Sequence, residues 1–109
     1  MADTLKVLGQ SYPDAAALTT LYTVPASTST SVSSIVVCSQ SVMAQTYRIS
    51  VAIAAAADTS SQYLYYEVML QPYETHVHTL GITLAATDLI RVYSSLGLVS
   101  FNVFGVEIS

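Results

Sequence analysis

The chain is poor in charge, and that scarcity narrows its function before any motif is considered. Only three of its 109 residues are basic (Lys6, Arg48 and Arg91) and seven are acidic, so 9% of the chain is charged, where a soluble domain has about 25%. Nucleic-acid binding needs a surface that neutralises several phosphates at once. Three scattered cations do not make one, so no direct nucleic-acid partner is expected. Cys38 is the sole cysteine, which excludes an intrachain disulfide and leaves the core to stand by packing. It lies in the apolar run SIVVCS and reads as a buried structural thiol. With four glycines in all there is neither a phosphate-cradling loop nor a dinucleotide fingerprint, and no GxSxG elbow occurs. Long apolar runs are missing as well: Ala15 to Tyr47 is uncharged, but it is dense in Ser and Thr and broken by Pro25, short of the roughly 18 apolar residues that suggest a membrane span. The opening MADTLKVLGQ lacks the basic and then apolar organisation of a secretory signal. No membrane partner is expected.

What is present points to strands. A chain of 109 residues suits one domain with one core. The organising stretch is Gln45 to Ala54, QTYRISVAIA, in which Tyr47, Ile49, Val51 and Ile53 alternate with Thr46, Arg48, Ser50 and Ala52. A period of two places the first set on the core face of a sheet. Further strands are expected over Thr19 to Val24, over Val32 to Cys38 as a central strand covered on both sides, over Gln62 to Leu70, over Glu74 to Leu80 and over Leu89 to Ser94. In Gln62 to Leu70 the alternation puts Leu64, Tyr66, Val68 and Leu70 inward and Tyr63, Tyr65, Glu67 and Met69 outward. ASTSTS, Ala26 to Ser31, reads as a loop, and Asp88 as a turn residue before its strand. Across Leu98 to Ile108 the apolar parity switches beside Gly105, which suggests a bulge or an insertion between sheets. Seven or eight strands with turns between them, and no sustained helical period, predict an all-β fold: an antiparallel β-sandwich, with a jelly roll as one form of it. Residues 1–14 read as an N-terminal arm or short edge strand and 15–109 as the sandwich domain.

Candidate chemistry is sparse. His76 and His78 share one face of a strand and two imidazoles at that spacing can share a metal, but no third ligand follows, so they read as an exposed or interface pair. Asp58, Glu67, Glu74 and Asp88 are scattered without a supporting motif for acid–base work. No catalytic, metal or cofactor site is assigned. The tyrosines are more informative: Tyr63 and Tyr65, with Tyr73 just beyond, would stand outward, where they either fill a flat sheet face by cross-strand packing or form a contact patch, because Tyr is rigid, amphipathic and enriched at recognition surfaces. Arg48 and Arg91 are placed to pair with Glu67 across strands. In the arm, Leu5, Val7 and Leu8 are apolar residues suited to strap a neighbour. A surface built from Ser, Thr, Ala and Tyr tends to associate, and low-charge strand edges invite pairing. The chain is expected to be one protomer of a homo-oligomer.

LYTVPA (Leu21 to Ala26), SSIVVCS (Ser33 to Ser39), TYRISVA (Thr46 to Ala52), YLYY (Tyr63 to Tyr66), GITLAATDLIRVY (Gly81 to Tyr93) and SFNVFGVEI (Ser100 to Ile108) together resemble small all-β virion proteins of tailed bacteriophages. The likeness runs from Leu18 onward and rests on strand signatures, so it carries over no active-site residue. Where such sequences have glycine or charge after YTVPA, this chain has Ser27 to Ser31, a departure that bears on loop contacts and not on the sandwich. The resemblance implies a non-enzymatic decoration or cement protein, a trimer bound to the major capsid protein on the outer capsid surface of the virion and made in the host cytoplasm. A tail, neck or fibre adaptor shares the same resemblance. A carbohydrate-binding module, with Tyr63, Tyr65 and Tyr73 as its platform, is the alternative outside virion structure.

Overall fold

A computed structural model describes residues 2–109. Eight strands follow in order: β1 (Asp3–Ser11), β2 (Thr19–Thr23), β3 (Ser29–Ser39), β4 (Gln45–Ala52), β5 (Tyr63–Leu70), β6 (Thr75–Leu84), β7 (Leu89–Ser94) and β8 (Val99–Ile108), with two short 3-10 turns, Ile53–Ala55 and Ser60–Gln62, between β4 and β5. They form two four-stranded sheets, ordered β1-β8-β3-β6 and β2-β7-β4-β5, and every pairing is antiparallel. Except between β4 and β5, each connection crosses from one sheet to the other. This interleaving makes the sandwich a jelly roll.

The core fills the space between the sheets. Ile35, Val37, Val99, Phe101 and Val103 from the first sheet meet Tyr47, Ile49, Leu70, Ile90 and Val92 from the second, all wholly buried. The parity expected of β4 holds through Tyr47, Ile49 and Val51 and then stops, because the strand ends at Ala52 and Ile53 turns into solvent. Ser50 and Ala52 on the other parity are buried too; the connection that follows β4 packs back over β4 and β7. Asp88 anchors it, one carboxylate oxygen accepting from Ala54 N–H at 2.9 Å and the other from Ala85 N–H at 2.9 Å. At one end of the sandwich Tyr22 of β2 reaches across the core. Its hydroxyl donates to Glu107 of β8 at 2.6 Å and lies 2.8 Å from Thr30 Oγ1 of β3, while Lys6 of β1 pairs with the other Glu107 oxygen at 2.9 Å. Burial, reinforced by Glu107, pushes the Tyr22 phenol up to about 12, so it stays a hydrogen-bond donor throughout the neutral range.

A line of bulges crosses the first sheet. Relative to β8, β1 carries an extra residue between Val7 and Gly9, and β3 carries one between Val32 and Ser34; opposite the same point of β3, β6 carries another near Gly81. The irregularity that the β8 sequence suggests at Gly105 therefore lies on its two partners, while β8 itself alternates without a break from Val99 to Gly105. Gly105 is required here because a Cβ would run into the Ser31 carbonyl oxygen, and Gly9 because a Cβ would meet the Leu21 carbonyl.

Residues 3–11 form an edge strand of the first sheet, one of the two forms expected of the N-terminal residues. Several other expectations are corrected: Leu8 is a core residue at 8% exposure, so it is not free to strap a neighbour. β6 runs through Gly81 to Leu84, and β3 begins at Ser29 inside the ASTSTS stretch. β3 is central, yet Cys38 is only half-buried, because its parity is the one turned away from the core. Arg48 pairs with Glu67 as expected; Arg91 does not, and its Nη1 is buried without a hydrogen-bond partner among the described residues.

Gly105→Ala is expected to destabilise the fold by about 1–3 kcal/mol, the usual cost of forcing atoms into a packed site. Gly81→Ala, where an added Cβ meets nothing within 4 Å, should stay within about 0.5 kcal/mol of the parent. Urea unfolding of the two variants checks the contrast, and equal effects would contradict the close approach.

Candidate functional site

β5 organises both candidate sites, one on each of its faces. Its register against β4 shifts twice, between the pairs Tyr47↔Val68 and Ile49↔Tyr65 and again before Ser50↔Tyr63, and Glu67 takes a left-handed backbone at φ 53°. Each extra residue reverses which side chains point inward. Leu70 and Val68 face the core as the alternation predicts, but beyond Glu67 it is Tyr65 that packs inward, while Tyr66 is 60% exposed and Leu64 42% exposed. The outward tyrosine pair read from sequence is therefore split.

On the inner face, the Tyr47 hydroxyl of β4 sits between two histidines of β6. It lies 2.8 Å from His76 Nδ1 and 2.6 Å from His78 Nε2. His76 Nε2 lies 3.0 Å from Glu74 Oε1, and the Tyr65 ring stacks on His78 with centroids 3.9 Å apart. One proton ordering satisfies every contact: His76 Nε2–H donates to the Glu74 carboxylate, Tyr47 O–H donates to His76 Nδ1, and His78 Nε2–H donates to the phenol oxygen. Burial, followed by the nearby His76 charge, lowers the His78 imidazole from its ordinary value. Burial, followed by Tyr65 and Glu74, pushes the Tyr47 phenol up to about 12. The Glu74 carboxyl is lowered, chiefly by the Gln71 N–H and then by His76. His76 and His78 thus turn inward and are held by hydrogen bonds, which replaces the exposed pair expected from sequence. Among the described residues no group of three or more His, Cys, Asp or Glu side chains converges as a metal site.

On the outer face, Arg48 lies between two tyrosine rings, its guanidinium carbon 4.6 Å from the Tyr66 centroid and 4.2 Å from that of Tyr93. Glu67 pairs with Arg48 and also accepts from Thr46 Oγ1 at 2.9 Å; the Arg48 and Thr46 bonds hold its carboxyl below the usual range. Tyr63 meets Tyr66 edge-on with centroids 5.1 Å apart, and its hydroxyl donates to Asp58 Oδ2 at 3.1 Å. A cleft of about 430 Å³ opens here, lined by Ser60, Tyr63 and Tyr66. Tyr73 is elsewhere, exposed in the β5–β6 turn, with its N–H on the Ser41 carbonyl.

The third feature is the outward face of the first sheet. Leu5 pairs with Val106, Val7 with Phe104 and Val36 with Val77, and none of the six belongs to the core cluster. Leu5, Val7 and Val77 are 79%, 49% and 62% exposed. Of this face, only Leu5 and Val7 were singled out by sequence; Val36, Val77, Phe104 and Val106 are visible as a patch only once β6 and β1 are placed at the two edges of one sheet. Tyr66 was read as inward because the Glu67 bulge has no signature in YLYYEVML.

No family model and no curated protein matches the chain in sequence. In three dimensions the chain is similar to one from the structure of infectious bursal disease virus, Gx strain, with a TM-score of 0.55 at 15% identity, over 97% of this chain and 32% of that one. The likeness is one of fold. This chain spans about a third of that neighbour's length.

Tyr47→Phe is expected to cost about 1–3 kcal/mol, since it leaves two part-buried imidazoles short of a partner. Because the folded value of His78 lies below its unfolded one, the unfolded chain binds more protons there. The stability tied to neutral His78 is fully present above about pH 6.5 and is lost as the pH falls below it. The drop in unfolding free energy between about pH 7.5 and about pH 5 should therefore shrink in His78→Gln; a drop of unchanged size would contradict the assignment.

Proposed function

We propose that this chain is a non-enzymatic structural protein of a virion, held in its assembly through the outward face of the first sheet. The observation that carries the reading is that face itself. Leu5, Val7, Val36, Val77, Phe104 and Val106 form facing apolar pairs, and the charged residue sharing their parity on β1 is Asp3, at the strand's start. Exposed apolar patches of this kind mark association surfaces. The edge adds to it: β6, THVHTLGITL, has neither the lysine nor the proline that blunts free strand edges. The fold shared with a chain of infectious bursal disease virus fits a structural role, and the resemblance to phage virion proteins supplies the finer reading. In that reading the protein is a decoration or cement protein on the outside of a tailed-phage head, self-associated as a trimer and bound to the major capsid protein.

The occupant of the apolar face in this reading is a second copy of the chain. A face whose charge on β1 is confined to Asp3 at the strand's start suits two copies that each carry a net charge of −4, because its apolar part lets them meet without bringing like charges together. Leu5, Val7 and Tyr73 remain the proposed contact residues from the sequence, the first two in the self-contact and Tyr73 toward the shell. Joining several weak footprints in one oligomer raises attachment by about 10²-fold or more without any strong single contact.

The test is sedimentation velocity of the purified protein and of Val77→Asp, together with co-sedimentation of each with shells stripped of the protein. The parent is expected to be oligomeric and to rebind shells. Val77→Asp is expected to be monomeric with an unfolding midpoint near the parent's, since an exposed substitution usually changes stability by less than about 0.5 kcal/mol. A monomeric parent that ignores shells would overturn the reading.

A further inference from the structure

The outward face of the second sheet is built for something that assembly through the first does not use. The β5 bulge between Val68 and Tyr65 turns Tyr66 outward, and Glu67 is held in a left-handed conformation at the turning point. A non-glycine residue in that region costs free energy and persists only where its surroundings enforce it, and bulges recur where a side chain is re-aimed at a site. The outcome is a tyrosine ring displayed at 60% exposure yet fixed from two sides, by the Arg48 guanidinium at 4.6 Å and by the edge-on Tyr63 ring at 5.1 Å.

We propose that the cleft lined by Ser60, Tyr63 and Tyr66 binds a neutral pyranose sugar. Its volume of about 430 Å³ falls within the range of small-ligand sites, about 300–1,000 Å³. Its chemistry is divided as a sugar's is. Tyr66 offers a flat apolar surface to the C–H face of a pyranose, and the Ser60 hydroxyl and the Tyr63 phenol offer polar groups to its hydroxyl rim. A purely apolar ligand would strip water from those hydroxyls without replacing their hydrogen bonds. An acidic sugar or a phosphate is disfavoured by charge: Arg48 is already paired with Glu67, and Asp58 holds the Tyr63 hydroxyl at 3.1 Å, so an anion would meet two carboxylates and no free cation. Because the platform is held before any ligand arrives, little ordering is needed on binding.

The cleft and the apolar patch lie on opposite outward faces of the sandwich, so an assembled protomer keeps its cleft open. On a virion such a site would attach the particle to neutral surface glycans. The sugar site itself does not depend on the virion reading, and its test is separate.

That test is saturation-transfer NMR of the intact protein with millimolar methyl glycosides of glucose, galactose, mannose and N-acetylglucosamine, repeated with Tyr66→Ala and with Tyr73→Ala. Tyr73, an exposed tyrosine outside the cleft, controls for non-specific stacking, and amide spectra confirm that each variant is folded. Transfer to the ring protons of at least one glycoside is expected in the parent and in Tyr73→Ala, with affinity reduced about tenfold or more in Tyr66→Ala, as for loss of a central aromatic anchor. Absence of transfer to every glycoside, or transfer that survives in Tyr66→Ala, would overturn the proposal.

Discussion

The two sheets of this jelly roll have to be held face to face with no disulfide and few charges, and the interaction on which that depends most is the Tyr47 hydroxyl between His76 and His78. Tyr47 is the largest wholly buried side chain of the core. It extends from β4 toward β6 of the opposite sheet and ends on two imidazoles at 2.8 and 2.6 Å. An apolar side chain of that size would bury similar area, but the phenol also fixes orientation, because its single proton must go to one ring nitrogen while its oxygen accepts from the other. Tyr22 performs the matching task at another place, with its hydroxyl on Glu107 and Thr30. Two phenols from the second sheet thus select which strands of the first sheet they face, a selectivity that apolar packing alone supplies less sharply.

With the interior secured this way, the outward faces are free to differ. The first sheet turns out apolar pairs between β1 and β8 and between β3 and β6, whereas the second turns out Arg48 packed between Tyr66 and Tyr93. Bulges produce both arrangements. The line through Gly9, Gly105 and Gly81 lets strands approach where a Cβ would collide at two of the three positions, and the Glu67 bulge exchanges the faces of Tyr65 and Tyr66. One inserted residue therefore places a histidine-stacking ring inside and a displayed ring outside.

Much of the architecture is legible in the chain. Alternation in QTYRISVA and in the first part of SFNVFGVEI marks inward residues that are indeed buried, and the absence of helical period leaves a sandwich as the economical fold. Strand order is not legible, because nearly every connection crosses between sheets and the partners of β3 and β8 come from distant parts of the sequence. The site residues fared unevenly for a related physical reason. Period-two reasoning assumes an unbroken pleat, so it places Tyr47, Ile49 and Val68 correctly and fails at Tyr65, just past a bulge that no residue type announces. His76 and His78 were read as an exposed or interface pair because no third ligand follows them; their partner, the Tyr47 hydroxyl, reaches them from the opposite sheet. Leu8 shows the same limit at the Val7–Gly9 bulge, which turns an apparent arm residue into core.

Cys38 offers the most direct measurement of the central claim, that the outward face of the first sheet is covered in the assembled protein. It is the chain's sole cysteine, it is half-buried, and it stands two residues along β3 from Val36, on the same parity. The rate of thiol labelling should be measured on the concentrated protein and again after dilution or mild dissociation that leaves the sandwich folded. The account predicts a thiol that is protected while the protein is associated and labelled freely once it is not. Equal labelling in both states would mean that the face stays open to solvent, and would contradict it.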